Sequence, residues 1–225
     1  SRETLLKYAR QDIAFLRSFD LKAVLIACGT VTSTSLDTLR KENDLPVLGV
    51  VEPSCREALA ATNNKKIGMI ATLASARSGA YERTLKGLDA DVQVVSQPCP
   101  LFVPLVENGR FRQGDVVIET VAREYLEPLR ATGIDTLILG CTHYPLLTEI
   151  IADIMSPGVT LIDSGAAAAR VLRQTLSDRG ALAQRDHGTL TLYASDRPED
   201  FGALAGQFLR RPLESAVQHV DIERY

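Results

Sequence analysis

Two cysteines in this sequence sit in matching surroundings. Cys28 lies in Leu25-Ile26-Ala27-Cys28-Gly29-Thr30 and Cys141 in Ile138-Leu139-Gly140-Cys141-Thr142-His143, about half the chain apart. Each follows an aliphatic run and a small residue, and each precedes hydroxyl or imidazole groups. A thiol with an ordinary pKa near 8.5 keeps both protonation states within reach of neutrality. Two of them facing one carbon can therefore remove a proton from one side and return one to the other. A lone cysteine after a strand is more often inert packing. It is the pairing, and the run Cys141-Thr142-His143-Tyr144-Pro145, that sets these two apart. Cys55 and Cys99 lack such neighbours and read as structural. A Cys–His hydrolase built on Cys141 and His143 meets an objection: side chains at i and i+2 seldom form a working dyad. Metal binding is weaker still, since the chain has three histidines and no CxxC or HExxH spacing.

The elements that must position these groups alternate in period. Residues 1–19 carry a helical apolar face, and aliphatic strands are expected at 23–27, 47–51, 66–71, 92–95, 136–140, 159–162 and 189–194. Helices are expected between them at 32–41, from Pro53 to about Asn63, at 75–88, 115–132, 146–155, 166–177 and 198–209, with a last extended stretch at 216–222. Strands without polar alternation, each followed by a helix, imply a doubly wound α/β fold with parallel sheet covered on both faces. Ligands of such sheets bind beyond the carboxyl ends of the strands, which is where both cysteines fall. Ala27 and Gly140 leave room for a ligand near the backbone, and a following helix offers its first N–H groups to an anion and lowers a thiol's pKa.

Composition narrows the classes. A chain of 225 residues makes one large domain or two small ones. With 45% hydrophobic and 24% charged residues it has an ordinary globular balance. A net charge of −3 argues against nucleic acid or an anionic membrane as the main partner. No apolar run approaches a bilayer span, and no signal-peptide pattern opens the chain. Four cysteines are too few for a disulfide scaffold, so free thiols in a reducing cytoplasm are expected.

Gly140-Cys141-Thr142-His143-Tyr144-Pro145-Leu146 resembles the second signature of the glutamate racemases, and Ala27-Cys28-Gly29-Thr30 resembles the first. Further landmarks are Gly49-Val50-Val51-Glu52-Pro53, residues 67–72, Ser78-Gly79-Ala80-Tyr81 and residues 100–107, so the resemblance runs along essentially the whole chain. It implies a cofactor-independent enzyme that interconverts L- and D-glutamate for peptidoglycan synthesis, with no metal, and commonly a homodimer. It also implies two pseudo-symmetric parallel-sheet α/β domains with the active site in the cleft between them. We divide the chain accordingly into residues 1–51 plus 165–225 and residues 52–164. By position, Cys28 and Cys141 match the catalytic thiols, and Glu107 with His143 matches an auxiliary acid–base pair. Gly29, Thr30, Thr72, Ser75, Thr142 and His143 match positions that contact substrate or assist a thiol.

The chain departs from the family pattern in two places. Gly29 stands where many members carry Asn, which removes an amide contact that backbone N–H groups partly replace. The family's opening strand with Asp-Ser-Gly, and its later Pro-Tyr-Gly, have no counterpart before Ser1, where no initiator Met stands. Asp163-Ser164-Gly165 resembles the symmetry mate of the first of these, and a helix N-cap is the expectation for it. An aspartate racemase, or a fragment of a glutamate racemase that turns over poorly and aggregates, are the alternatives kept open.

Overall fold

Apolar Leu6, Ala9 and Ile13 recur at helical spacing between charged positions, and the opening stretch forms α1, Arg2–Leu16. Ser1 caps it by accepting a hydrogen bond from the Thr4 N–H. The computed structural model describes residues 1–185 and 187–225. β1 (Val24–Ile26), α2 (Gly29–Glu42) and β2 (Val47–Gly49) follow, with the two strands parallel and Val24 opposite Val47. Ala9 and Ile13 of α1 meet Val24, Leu36, Leu39 and Val47 in a small core.

The larger part of the molecule contains α3 (Val51–Ala61), β3 (Lys66–Ala71), α4 (Leu73–Ser78), α5 (Ala80–Leu88) and β4 (Gln93–Pro98). Next come α6 (Phe102–Glu107), α7 (Val116–Arg130), β5 (Thr136–Leu139), α8 (Thr148–Met155), β6 (Thr160–Asp163) and α9 (Ser164–Asp178). Its strands form one parallel sheet in the order β4-β3-β5-β6. The aliphatic runs are explained by burial on both faces. Leu137 and Leu139 of β5 enter a cluster with Phe102, Val106, Ile118 and Leu126, while Ile138 enters another with Cys55, Ala58, Tyr81 and Leu85. The chain closes with β7 (Tyr193–Ala194), α10 (Pro198–Leu209) and β8 (Gln218–His219), a short parallel pair. Phe15 of α1 packs edge-on against Tyr193 and Tyr225, so the C-terminal stretch returns to the first helix. The fold is α/β with parallel sheets throughout, in two parts.

Several expected elements differ in extent. The helix expected at 75–88 is two helices, because Gly79 adopts a left-handed backbone (φ 65°) that no other residue type takes so cheaply. The loop after β4 contains α6, whose Pro104 sits in the first turn and there loses no helical hydrogen bond. The last two strands shrink to two residues each, and β5 stops at Leu139. A 3₁₀ turn, Tyr144–Leu147, precedes α8, so Cys141 does not lie at an α-helix N-terminus as expected.

Candidate active site

Cys28, Thr72 and Cys141 all follow the carboxyl ends of strands, β1, β3 and β5 respectively. Cys28 is the N-cap of α2 in extended conformation, and no side chain caps that helix. Its first-turn N–H groups are therefore free to receive an anion. Cys28 is exposed and Cys141 half-buried.

The two cysteine-bearing segments touch. A Cβ placed on Gly29 would lie 2.5 Å from the Gly140 carbonyl oxygen and 3.6 Å from Ser75 Oγ. The absence of a side chain at Gly29 is what allows this approach. That is a physical reason for glycine at a position where the family resemblance would place Asn. Gly140 is equally confined: a Cβ there would meet the Ile70 carbonyl oxygen at 2.7 Å and Tyr81 Oη at 3.3 Å. Its N–H donates to that same Ile70 carbonyl at 2.8 Å, which extends β5 by one bond and fixes the start of the Cys141 turn.

Thr30, Thr72 and Ser75 come together at this junction. Thr30 Oγ1 lies 2.9 Å from Thr72 Oγ1 and 3.1 Å from Ser75 Oγ, and Thr72 donates to Ser75 at 3.1 Å. Thr72 also caps α4 by accepting from the Ser75 N–H. Thr142 is not part of this cluster. It is exposed, and its hydroxyl lies 3.3 Å from His143 Nδ1.

The remaining predicted pair also meets. His143 Nε2 lies 3.1 Å from Glu107 Oε1, and His143 Nδ1 lies 3.7 Å from Cys141 Sγ. The i, i+2 objection fails here for a local reason. His143 has αR backbone (φ −77°, ψ −27°) and the Tyr144 N–H donates back to the Cys141 carbonyl, so the chain curls instead of continuing a strand. Tyr144 anchors the curl, with its hydroxyl donating to the Cys99 carbonyl at 3.1 Å and its ring edge-on to Phe102 at 5.3 Å. Phe102 begins α6 and Glu107 ends it, so one buried aromatic pair locates both halves of the His143–Glu107 contact.

Burial pushes the Cys141 thiol up from its ordinary pKa, and the nearby Cys28 adds to this; hydrogen bonds from the His143 backbone and from Thr142 pull it partly back. Burial likewise pushes Cys55 up to about 12 and Cys99 upward as well, which leaves both as neutral thiols. Asp163 does what its sequence suggests, accepting from the Gly165 and Ala166 N–H groups at the start of α9. Among the described residues, no three His, Cys, Asp or Glu side chains group in a way that could hold a metal ion. Phe208, which sequence reasoning gave no role, packs edge-on to the His143 ring. Its helical apolar spacing carries no signal that would have singled it out.

The profile of the Asp/Glu/hydantoin racemase family matches residues 1–172. A glutamate racemase from Desulforudis audaxviator is 40% identical over 225 aligned residues, spanning 97% of this chain and 82% of its own. The crystal structure of a glutamate racemase isoform from Bacillus anthracis superposes with a TM-score of 0.92 at 34% identity, covering 98% of this chain and 82% of that one. The glutamate racemase from Francisella tularensis, crystallised in complex with D-glutamate, superposes at 0.89 with 32% identity, covering 100% and 83%. Among the described residues no helix is long and apolar enough to cross a membrane.

Proposed function

The chain belongs to the Asp/Glu/hydantoin racemase family, and on that premise we propose that it interconverts L- and D-glutamate through two opposed thiols. The observation that carries this is the backbone contact between Gly29 and Gly140, which sets the Cys28 and Cys141 strand ends against each other. One cysteine acts as thiolate and takes the Cα proton. The other acts as thiol and delivers its proton to the opposite face, and the roles exchange for the other enantiomer. The electron pair left on Cα between these steps delocalises toward the α-carboxylate, so the site must stabilise developing negative charge with dipoles already in place. The uncapped first turn of α2 and the hydroxyls of Thr30, Thr72 and Ser75 supply such dipoles. Glu107 and His143 serve Cys141 as an acid–base relay, and Thr142, exposed beside them, is assigned to substrate.

The same proposal places the enzyme in the cytoplasm, where it supplies D-glutamate for peptidoglycan, and makes it a homodimer. It also assigns residues 1–51 plus 165–225 to one domain and 52–164 to the other. The return of Tyr193 and Tyr225 onto Phe15 supports that discontinuous division.

The test is circular dichroism of the purified protein with each enantiomer of glutamate and of aspartate. Decay of both glutamate signals to zero, with aspartate unchanged, is the expected result. Racemisation of aspartate without glutamate would overturn the substrate assignment.

A further inference from the structure

His143 is held by hydrogen bonds at both ring nitrogens, yet those bonds do not settle its orientation. Nδ1 is approached by two competitors, Thr142 Oγ1 at 3.3 Å and Cys141 Sγ at 3.7 Å. A small rotation of the imidazole favours one of them over the other. The face of the ring is set by a third contact. The Phe208 ring lies edge-on to it, with centroids 5.3 Å apart and planes at 89°, the preferred geometry for two aromatic rings.

Phe208 comes from a distant part of the chain. It stands in the last turn of α10, whose other end packs on the C-terminal stretch, where Gly202 lies against Val217 and Leu213. Phe208 itself leaves that stretch and packs against the apolar cluster of the four-stranded sheet, together with Leu146 and Cys141. The helix thus bridges from the C-terminal segment to the side of the candidate site that holds Cys141.

We propose that Phe208 is a positioning residue for His143, fixing the imidazole so that Nδ1 serves Cys141 while Nε2 stays on Glu107. The inference rests on the reading of Cys141 as one of the two reacting thiols. The role assigned to Phe208 is indirect: it acts through His143. Its influence therefore falls on Cys141 alone and leaves Cys28 as it is. Seating of α10 becomes a condition for the activation of one thiol of the pair.

The experiment uses the full chain with Phe208→Leu, which keeps apolar volume without an aromatic edge, Phe208→Ala, and Phe208→Tyr, which keeps the ring. The rates at which iodoacetamide alkylates Cys28 and Cys141 are read from the same sample by peptide mass spectrometry. Racemisation gives kcat and KM separately. Phe208→Leu and Phe208→Ala are expected to slow Cys141 alkylation at least threefold with Cys28 unchanged, and to lower kcat by about three- to tenfold with little change in KM. Phe208→Tyr restores both. Equal slowing of both thiols, or a kcat loss that Phe208→Tyr fails to rescue, would mean a merely structural role and overturns the proposal. So would an unchanged Cys141 rate in Phe208→Leu. If Phe208→Ala does not fold, Phe208→Leu carries the test. Cys141→Ser separates the two layers: full turnover in that variant defeats the two-thiol reading, whereas loss of turnover there beside an unaffected Phe208→Leu defeats this inference only.

Discussion

Replacing Gly29 with alanine isolates the contact between the two cysteine-bearing segments. Helix propensity alone predicts a gain, since alanine is favoured over glycine within a helix by about 1 kcal/mol. The structure predicts a loss. The new Cβ would start 2.5 Å from the Gly140 carbonyl oxygen, and ordinary contact begins at 3.4 Å, so the segments must separate by 0.9 Å. A displacement of about 1 Å at a reacting centre costs roughly 100-fold in rate, which is about 2.7 kcal/mol of transition-state stabilisation. Stability should fall little, because the strain is relieved by opening the junction and not by disturbing a core. Gly140→Ala makes the opposite pattern. Its Cβ would meet the Ile70 carbonyl at 2.7 Å within one sheet, where overpacking costs about 1–3 kcal/mol and cannot be relieved without breaking the Gly140–Ile70 hydrogen bond. Gly29→Asn meets the same obstacle as Gly29→Ala, whatever its amide can offer. Circular dichroism of glutamate racemisation and a thermal melt of each variant distinguish the two patterns. A Gly29→Ala enzyme turning over within threefold of the parent would refute the reasoning.

Cys28→Ser and Cys141→Ser should each lower racemisation by several orders of magnitude, because an alcohol is too weak an acid to serve as the base near neutrality, whereas Cys55→Ser and Cys99→Ser should affect stability only; similar losses in all four would dispose of the paired-thiol reading. In D₂O, product formed from either enantiomer should carry deuterium at Cα by mass spectrometry, and retention of the original hydrogen would count against two separate thiols. Thr30→Val removes one corner of the hydroxyl cluster and should raise KM for glutamate several-fold, with an unchanged KM speaking against a binding role. Asp135 is pushed up by burial but pulled further down by hydrogen bonds from Thr62, the Asn63 and Asn64 N–H groups and Thr136, for a net lowering. Its folded-state pKa is therefore below the unfolded one. The stability it gives is present above the usual carboxylate range and lost as pH falls through the lowered value. Asp135→Asn should thus cost about 0.5–1 kcal/mol at pH 7 by urea unfolding, solvent screening keeping the loss small, and progressively less toward pH 3; a cost that grows in acid would contradict this.

The strands that carry the site were the most legible elements. Lys66–Ala71 was readable to the residue because its apolar run is bounded by lysines on one side and a capping threonine on the other. Pro198 announced the start of α10 by fitting the first turn of a helix. Gly79 gave no such notice, since a single glycine is tolerated inside many helices and only its left-handed backbone here splits the element. No helix is expected between the strand at 92–95 and the helix at 115–132, yet α6 forms there and is what presents Glu107 to His143. Local spacing also misjudged Cys141 and His143, because i and i+2 share one face of a strand but stand about 7 Å apart, whereas the turn after Gly140 brings them together. Contacts between remote segments, Gly29 with Gly140 and Phe208 with His143, leave no trace in local periodicity. That Cys28 and Cys141 both lie beyond strand ends was legible because each follows an aliphatic run and a small residue.

The triangle of Thr30, Thr72 and Ser75 has one further consequence. Its members carry no net charge, and every corner is a hydroxyl whose proton swings about a single bond. A guanidinium fork presents its donors in one fixed plane. Hydroxyl rotors reset their donors to whichever direction the oxygens arrive from. On the role proposed for these hydroxyls, donors that re-aim can follow the carboxylate of either enantiomer.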